Sequence, residues 1–155
     1  MNSKLRGLLE EAEAFHSHLG PFLVLGLKAG LLALRQLGAE QGESTLRAEV
    51  ELPYRVPISC LLDGVQFSTG CTIGNRRLSF KDRNGVAFTF TKGGEAIELT
   101  LKNAPFELLT RLFSGERLGD KELRDLSHNI VTMTEIELFD MKQRPAESAT
   151  DIHNH

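Results

Sequence analysis

In Leu46-Arg47-Ala48-Glu49-Val50-Glu51-Leu52 every second residue is apolar and the residues between are charged. Strict alternation is the period of a strand buried on one face, so a strand is predicted from Thr45 to Leu52. The residues before it have a different period. Leu5, Leu8, Leu9, Ala12 and Phe15 recur at helical spacing opposite Glu10, Glu11 and Glu13, which predicts an amphipathic helix from Ser3 to His18. Gly20 and Pro21 stop it and start a second helix, Pro21 to Leu37, because glycine suits the position past a helix end and proline the first turn of the next. This second helix is apolar nearly all round. Interrupted by Lys28 and several glycines, it reads as a central core helix rather than a membrane span. Gly26, Ala29, Gly30 and Ala33 form a strip where another backbone can approach closely.

Beyond the strand, Pro53 and Pro57 bound a connection, and Ile58 to Phe67 is predicted as a short helix leading into Thr69-Gly70-Cys71-Thr72-Ile73-Gly74. Strands are predicted at Leu78 to Lys81, Val86 to Thr91 and Ala96 to Leu101. Asn84-Gly85 and Gly93-Gly94 are both strong hairpin signals and suggest an antiparallel meander. Helices follow at Pro105 to Phe113 and at Asp120 to Val131, the latter with Asp120 as N-cap. Helices, then strands, then helices point to an α+β fold: a helical hairpin and further helices packed on an antiparallel sheet. The expected organisation is one domain, residues 1–143, and a flexible tail, residues 144–155.

The 155 residues are 41% apolar, enough for one continuous core. A formal net charge of -3, from 18 basic and 21 acidic side chains, provides no broad basic surface for a phosphate backbone, so nucleic acid is not an expected partner. Two cysteines are too few for a disulfide framework. Asn2-Ser3-Lys4-Leu5-Arg6 lacks the apolar core of a signal peptide, and a cytoplasmic protein is expected.

Chemistry concentrates in two places. His16 and His18 lie at the seam between the first two helices, and residues two apart in a regular helix point about 200° away from each other, so both can face one ion only if the helix unwinds there. The competing reading is that both imidazoles interact with a helix C-terminus through its dipole. Cys60 and Cys71 flank the irregular middle segment, and thiolates with imidazoles suit zinc. Buried cysteines are also common packing groups, and the eleven-residue separation is not that of a zinc ribbon. Lys28, in its apolar helix, must snorkel, pair, or face a polar cavity, while Asp63 and Gln66 are either surface groups or partners that orient a ligand imidazole. A third arrangement treats Gly70 to Arg77 as an anion cradle of backbone amides, with Arg76 and Arg77 adding charge. A Cys71 nucleophile activated by a histidine lacks an evident orienting residue. His153 and His155, in the tail, are excluded from the site.

Phe15-His16-Ser17-His18-Leu19-Gly20-Pro21, Gly26-Leu27-Lys28-Ala29-Gly30, and then Cys60-Leu61-Leu62-Asp63-Gly64-Val65-Gln66 with Ser68-Thr69-Gly70-Cys71-Thr72-Ile73-Gly74 resemble the FmdE domain of formylmethanofuran dehydrogenase and its stand-alone relatives. The resemblance implies an α+β domain, a homodimer, and a metal site, usually zinc, built here from His16, His18, Cys60 and Cys71. It also implies an accessory role beside a molybdenum or tungsten enzyme of one-carbon metabolism. The chain departs from the family in three ways. Gly20 stands where relatives often have cysteine, Gly74 is followed by Asn75-Arg76-Arg77 rather than Lys-Gly-Asn, and no cysteine after Cys71 forms the C-terminal zinc module of many relatives.

The first reading is therefore a zinc-type metal-binding accessory protein. Ni2+, Co2+ and Fe2+ accept the same donors. The alternatives are a small metalloenzyme with an open coordination position, its pocket lined by Lys28, Asp63 or Gln66, and a metal-free interaction module.

Overall fold

The computed structural model describes residues 3–115 and 117–147, so the tail from residue 148, with His153 and His155, lies outside the described residues. The fold is α+β, with six helices and a mixed five-stranded sheet among the described residues. In chain order the elements are α1 (Ser3–His16), α2 (Pro21–Leu37), β1 (Leu46–Leu52), α3 (Cys60–Thr69), β2 (Leu78–Asp82), β3 (Ala87–Lys92), β4 (Glu95–Leu101), α4 (Asn103–Phe113), α5 (Asp120–Thr132), α6 (Glu135–Leu138) and β5 (Phe139–Pro145).

The strands lie in the order β2-β1-β3-β4-β5. The alternation of Leu46–Leu52 is realised as predicted: Leu46, Ala48, Val50 and Leu52 are buried, and Arg47 is exposed on the other face. Gly93-Gly94 joins β3 and β4 as an antiparallel hairpin, with Gly93 at φ 58. The meander fails at Asn84-Gly85. β1 is the centre of three strands, paired parallel with β2 and antiparallel with β3, so the Asn84-Gly85 turn passes over the end of β1 instead of closing a hairpin. The cause is α3, which carries the chain back along the sheet between β1 and β2, as parallel neighbours require.

Other corrections are local. Gly119, in extended conformation, is the N-cap of α5, and Asp120 is its first helical residue. β5 pairs antiparallel with β4 and takes in Arg144 and Pro145, which the sequence pattern assigns to the tail. Arg144 donates to Glu98 on β4 from both Nε (3.1 Å) and Nη2 (2.9 Å). The alternation in Phe139-Asp140-Met141-Lys142 is the available signal for this strand, and it is a weak one.

The site is positioned against the sheet by α2 and α3: α2 packs on β3 and β4, and α3 on β1. α2 is buried along almost its whole length, with α1, α3 and α5 against it. Its small-residue strip is occupied within the chain. A Cβ on Gly26 would lie 2.2 Å from the Leu61 carbonyl oxygen, one on Gly30 would collide with Ser68 Oγ, and one on Gly64 would lie 2.3 Å from the Leu23 carbonyl oxygen. Glycine on both helices is what lets α3 sit this close. No helix among the described residues is long and apolar enough to cross a membrane.

Candidate functional site

Four residues, Ser17 to Gly20, separate α1 from α2, and the chain reverses at the first of them. α1 ends at His16, and Ser17, at φ 78, is in the left-handed region that non-glycine residues rarely adopt. Its amide still donates to the Glu13 carbonyl (2.9 Å), closing the last turn. Gly20 then caps α2 with Pro21 in its first turn. The reversal at Ser17 cancels the divergence of a regular helix, and the rings of His16 and His18 lie 4.6 Å apart between centroids.

His16 is held from one side. Its Nδ1 is 2.7 Å from Oδ2 of Asp63, in the first turn of α3. A carboxylate only accepts, so Nδ1 donates and Nε2 is left facing away from that bond. Nε2 is buried and has no hydrogen-bond partner among the described residues. Asp63 is itself steadied by Gln66 one turn along α3, whose Nε2 donates to Asp63 Oδ1 (3.4 Å) and whose Oε1 accepts from the Ile73 amide (3.1 Å). His16, Asp63, Gln66 and the loop at Ile73 thus form one chain of polar contacts.

His16, His18 and Cys60 line a single small cavity of about 40 Å³, together with Gly20, Pro57 and Phe113. A space of that size suits one water molecule or one ion. Cys60 opens α3, and burial, reinforced by the charge of Asp63, pushes its thiol pKa up to about 11, so without a metal it carries its proton at neutral pH.

The other predicted residues go elsewhere. Cys71 is buried in the core, its Sγ donating to the Leu46 carbonyl of β1 (3.4 Å), and it does not line the cavity. Lys28 is also absent from the cavity wall. Its ammonium donates to the carbonyls at the end of α5, Ile130 (3.1 Å), Val131 (3.0 Å) and Met133, so it closes a helix C-terminus from within the core. The loop from Gly70 to Arg77 is not a cradle of free amides, since the amides of Thr72, Ile73, Asn75, Arg76 and Arg77 all donate within the protein. Among the described residues no three histidine, cysteine, aspartate or glutamate side chains are arranged to hold an ion as they stand. The three donors at the cavity border it without converging. Pro57 and Phe113 have no signal in the sequence marking them as part of its wall.

Residues 15–140 match the family described as FmdE, molybdenum formylmethanofuran dehydrogenase operon. The chain belongs to the FmdE family. It is similar to a protein of Archaeoglobus fulgidus described as a probable S-adenosyl-L-methionine-binding protein, with 39% identity over 90 residues, which are 58% of this chain and 25% of the relative. The chain thus spans about a quarter of the length of the curated relative it matches. Its fold is that of the crystal structure of a tungsten formylmethanofuran dehydrogenase FmdE-like protein from Syntrophus aciditrophicus, with a TM-score of 0.59, 19% identity, and coverage of 94% of this chain and 74% of that one. The family match spans both the His16-Ser17-His18 seam and α3 with Cys60 and Asp63, so FmdE membership covers every residue of the cavity wall named above.

Proposed function

We propose that this FmdE-family protein is a metal-binding accessory protein for a molybdenum- or tungsten-dependent one-carbon enzyme, with zinc or a similar ion held by His16, His18 and Cys60. One observation carries the metal reading. The Nε2 of His16 is buried with no partner among the described residues, and His16 lines a cavity with another imidazole and a thiol, while Asp63 holds the opposite ring nitrogen. A buried polar atom left unpaired costs about 1–3 kcal/mol. A metal-ligating histidine characteristically donates its other N–H to a carboxylate, which fixes the tautomer and makes the free nitrogen a better donor. The donor set of two nitrogens and one sulfur is chemically right for zinc. Three protein donors leave one position of a tetrahedral shell for a group from outside the chain. Cys71 is not part of this proposal, because its sulfur is turned into the core against Leu46.

The enzyme partner is proposed from family membership, whose description names a molybdenum formylmethanofuran dehydrogenase operon. A homodimer rests on the same footing. The small-residue strip of α2 gives it no support, since α3 fills that strip.

Elemental mass spectrometry on protein without a polyhistidine tag, truncated before Asp151, tests the site, with X-ray absorption to count sulfur and nitrogen neighbours. About one ion per chain with one sulfur and two protein nitrogens is expected. His16→Ala and Cys60→Ser each lower the stoichiometry, and Cys71→Ser leaves it unchanged. Full stoichiometry in both of the first two variants would sink the proposal.

A further inference from the structure

Among the described residues nothing covers the sheet face turned away from α2 and α3, and it forms a groove of about 760 Å³. Strand register arranges its side chains in rows. Arg47 on β1 is opposite Thr91 on β3, Thr91 is opposite Ala96 on β4, and Ala96 is opposite Arg144 on β5. On the other flank of Arg47, Arg77 runs into β2, its carbonyl accepting from the Ala48 amide (2.8 Å). This end row carries three arginines and no acid, and Arg76 borders the same groove. The next row, Ser79, Glu49, Thr89, Glu98 and Lys142, carries the acids. Those acids are already paired: Glu49 with Lys81 (3.1 Å) and Glu98 with Arg144 (2.9 Å). Glu51 lies one row further in, opposite Lys81, and Glu147 borders the groove on the β5 side.

At the corner where β1 and β2 begin, the charge is therefore uncompensated. Arg77 is anchored by Nη1 on the carbonyls of Gly42 and Glu43, both at 3.3 Å. The guanidinium groups of Arg47 and Arg76 have no hydrogen bond or ion pair with any described residue. Arg76 is held at φ 63 by a turn that Asn75 stitches together, its Oδ1 accepting from Thr72 (2.9 Å) and Arg77 (3.0 Å) and its Nδ2 donating to the Gly70 carbonyl (2.8 Å). A left-handed arginine on a rigid turn is an uncommon arrangement, and it sets a guanidinium at the groove beside two others. Guanidinium forks match the oxygens of phosphate and carboxylate groups in pairs.

We propose that this corner of the open sheet face, Arg47, Arg76 and Arg77 with the Thr91 hydroxyl, binds a small molecule bearing a multiply charged oxyanion, a phosphate ester or a polycarboxylate. The groove is the size of a small-molecule site, and a single basic row within a chain of net charge -3 is too little for a nucleic-acid backbone. The site is independent of the cavity at His16.

The test is titration of metal-depleted, full-length His16→Ala protein at low salt, followed by NMR of backbone amides and arginine Nε–Hε groups. Use of that variant keeps chelation at the proposed metal site from producing the signal. With inorganic pyrophosphate, saturable shifts are expected at Arg47, Arg76, Arg77 and Thr91. Arg47→Gln and Arg76→Gln should each weaken binding at least about fivefold, while Arg111→Gln on α4 changes it less than about twofold. Citrate binding more tightly than pyrophosphate would identify a polycarboxylate, and the reverse a phosphate ester. Shifts spread evenly over all basic side chains, or no saturation with either anion up to about 10 mM, would overturn the site.

Discussion

His16 and Asp63, 47 residues apart in the chain, meet at 2.7 Å between Nδ1 and Oδ2. This bond ties the frayed end of α1 to the first turn of α3 and determines which nitrogen of His16 is left for the cavity. The orientation of the imidazole therefore depends on the packing of α3, and through Gln66 on the loop at Ile73.

Asp63→Ala should lower metal affinity about 10- to 100-fold with the fold intact, the usual effect of losing a carboxylate behind a ligating histidine. Competition against a chromophoric chelator reads the affinity, and circular dichroism reads the fold. Affinity equal to that of the unmodified protein would show that Asp63 does not orient the ligand.

Gly64→Ala should destabilise the protein by about 3 kcal/mol, since overpacking is costly where nothing can move. The new methyl would meet the Leu23 carbonyl oxygen at 2.3 Å, the Leu27 nitrogen at 2.6 Å and the Gly26 Cα at 2.8 Å, all of them backbone. Denaturant unfolding measures the loss. A change below about 1 kcal/mol would mean that α2 and α3 are not packed this closely in solution.

Lys28→Met should cost about 2 kcal/mol at neutral pH, because the Ile130, Val131 and Met133 carbonyls lose a charged donor inside the core. The cost also has a pH dependence of definite sign. Burial holds the Lys28 pKa below its ordinary 10.5, outweighing the raising effects of Glu135 and Glu137. Between the folded value and 10.5 the unfolded chain binds more protons, so this group's contribution to stability rises with pH across that window and is constant below it. Unfolding of both proteins from about pH 7 to 10 should show the unmodified protein gaining on the variant at the alkaline end. A difference that shrinks with pH would contradict the burial of the ammonium.

Much of the architecture is legible in short stretches. The alternation of Leu46–Leu52, the apolar run of Pro21–Leu37 and the Gly93-Gly94 turn each specify an element through residues a few positions apart, and each is realised in the predicted place. At the seam, Gly20-Pro21 announces that α1 must stop, but nothing local says that Ser17 alone turns left-handed and brings two imidazoles together.

Which faces are buried follows from the order of residues along the chain, because periodicity records one side of an element and needs no knowledge of its neighbour. Which elements meet is settled in the assembled fold. There β2 lies parallel beside β1, β5 joins the far edge, Cys71 turns toward Leu46 and away from the cavity, and Lys28 goes to the end of α5. Those outcomes depend on pairings between residues tens of positions apart, each chosen by the best joint burial of apolar faces and satisfaction of polar groups across the whole chain. A local window contains no term for that choice.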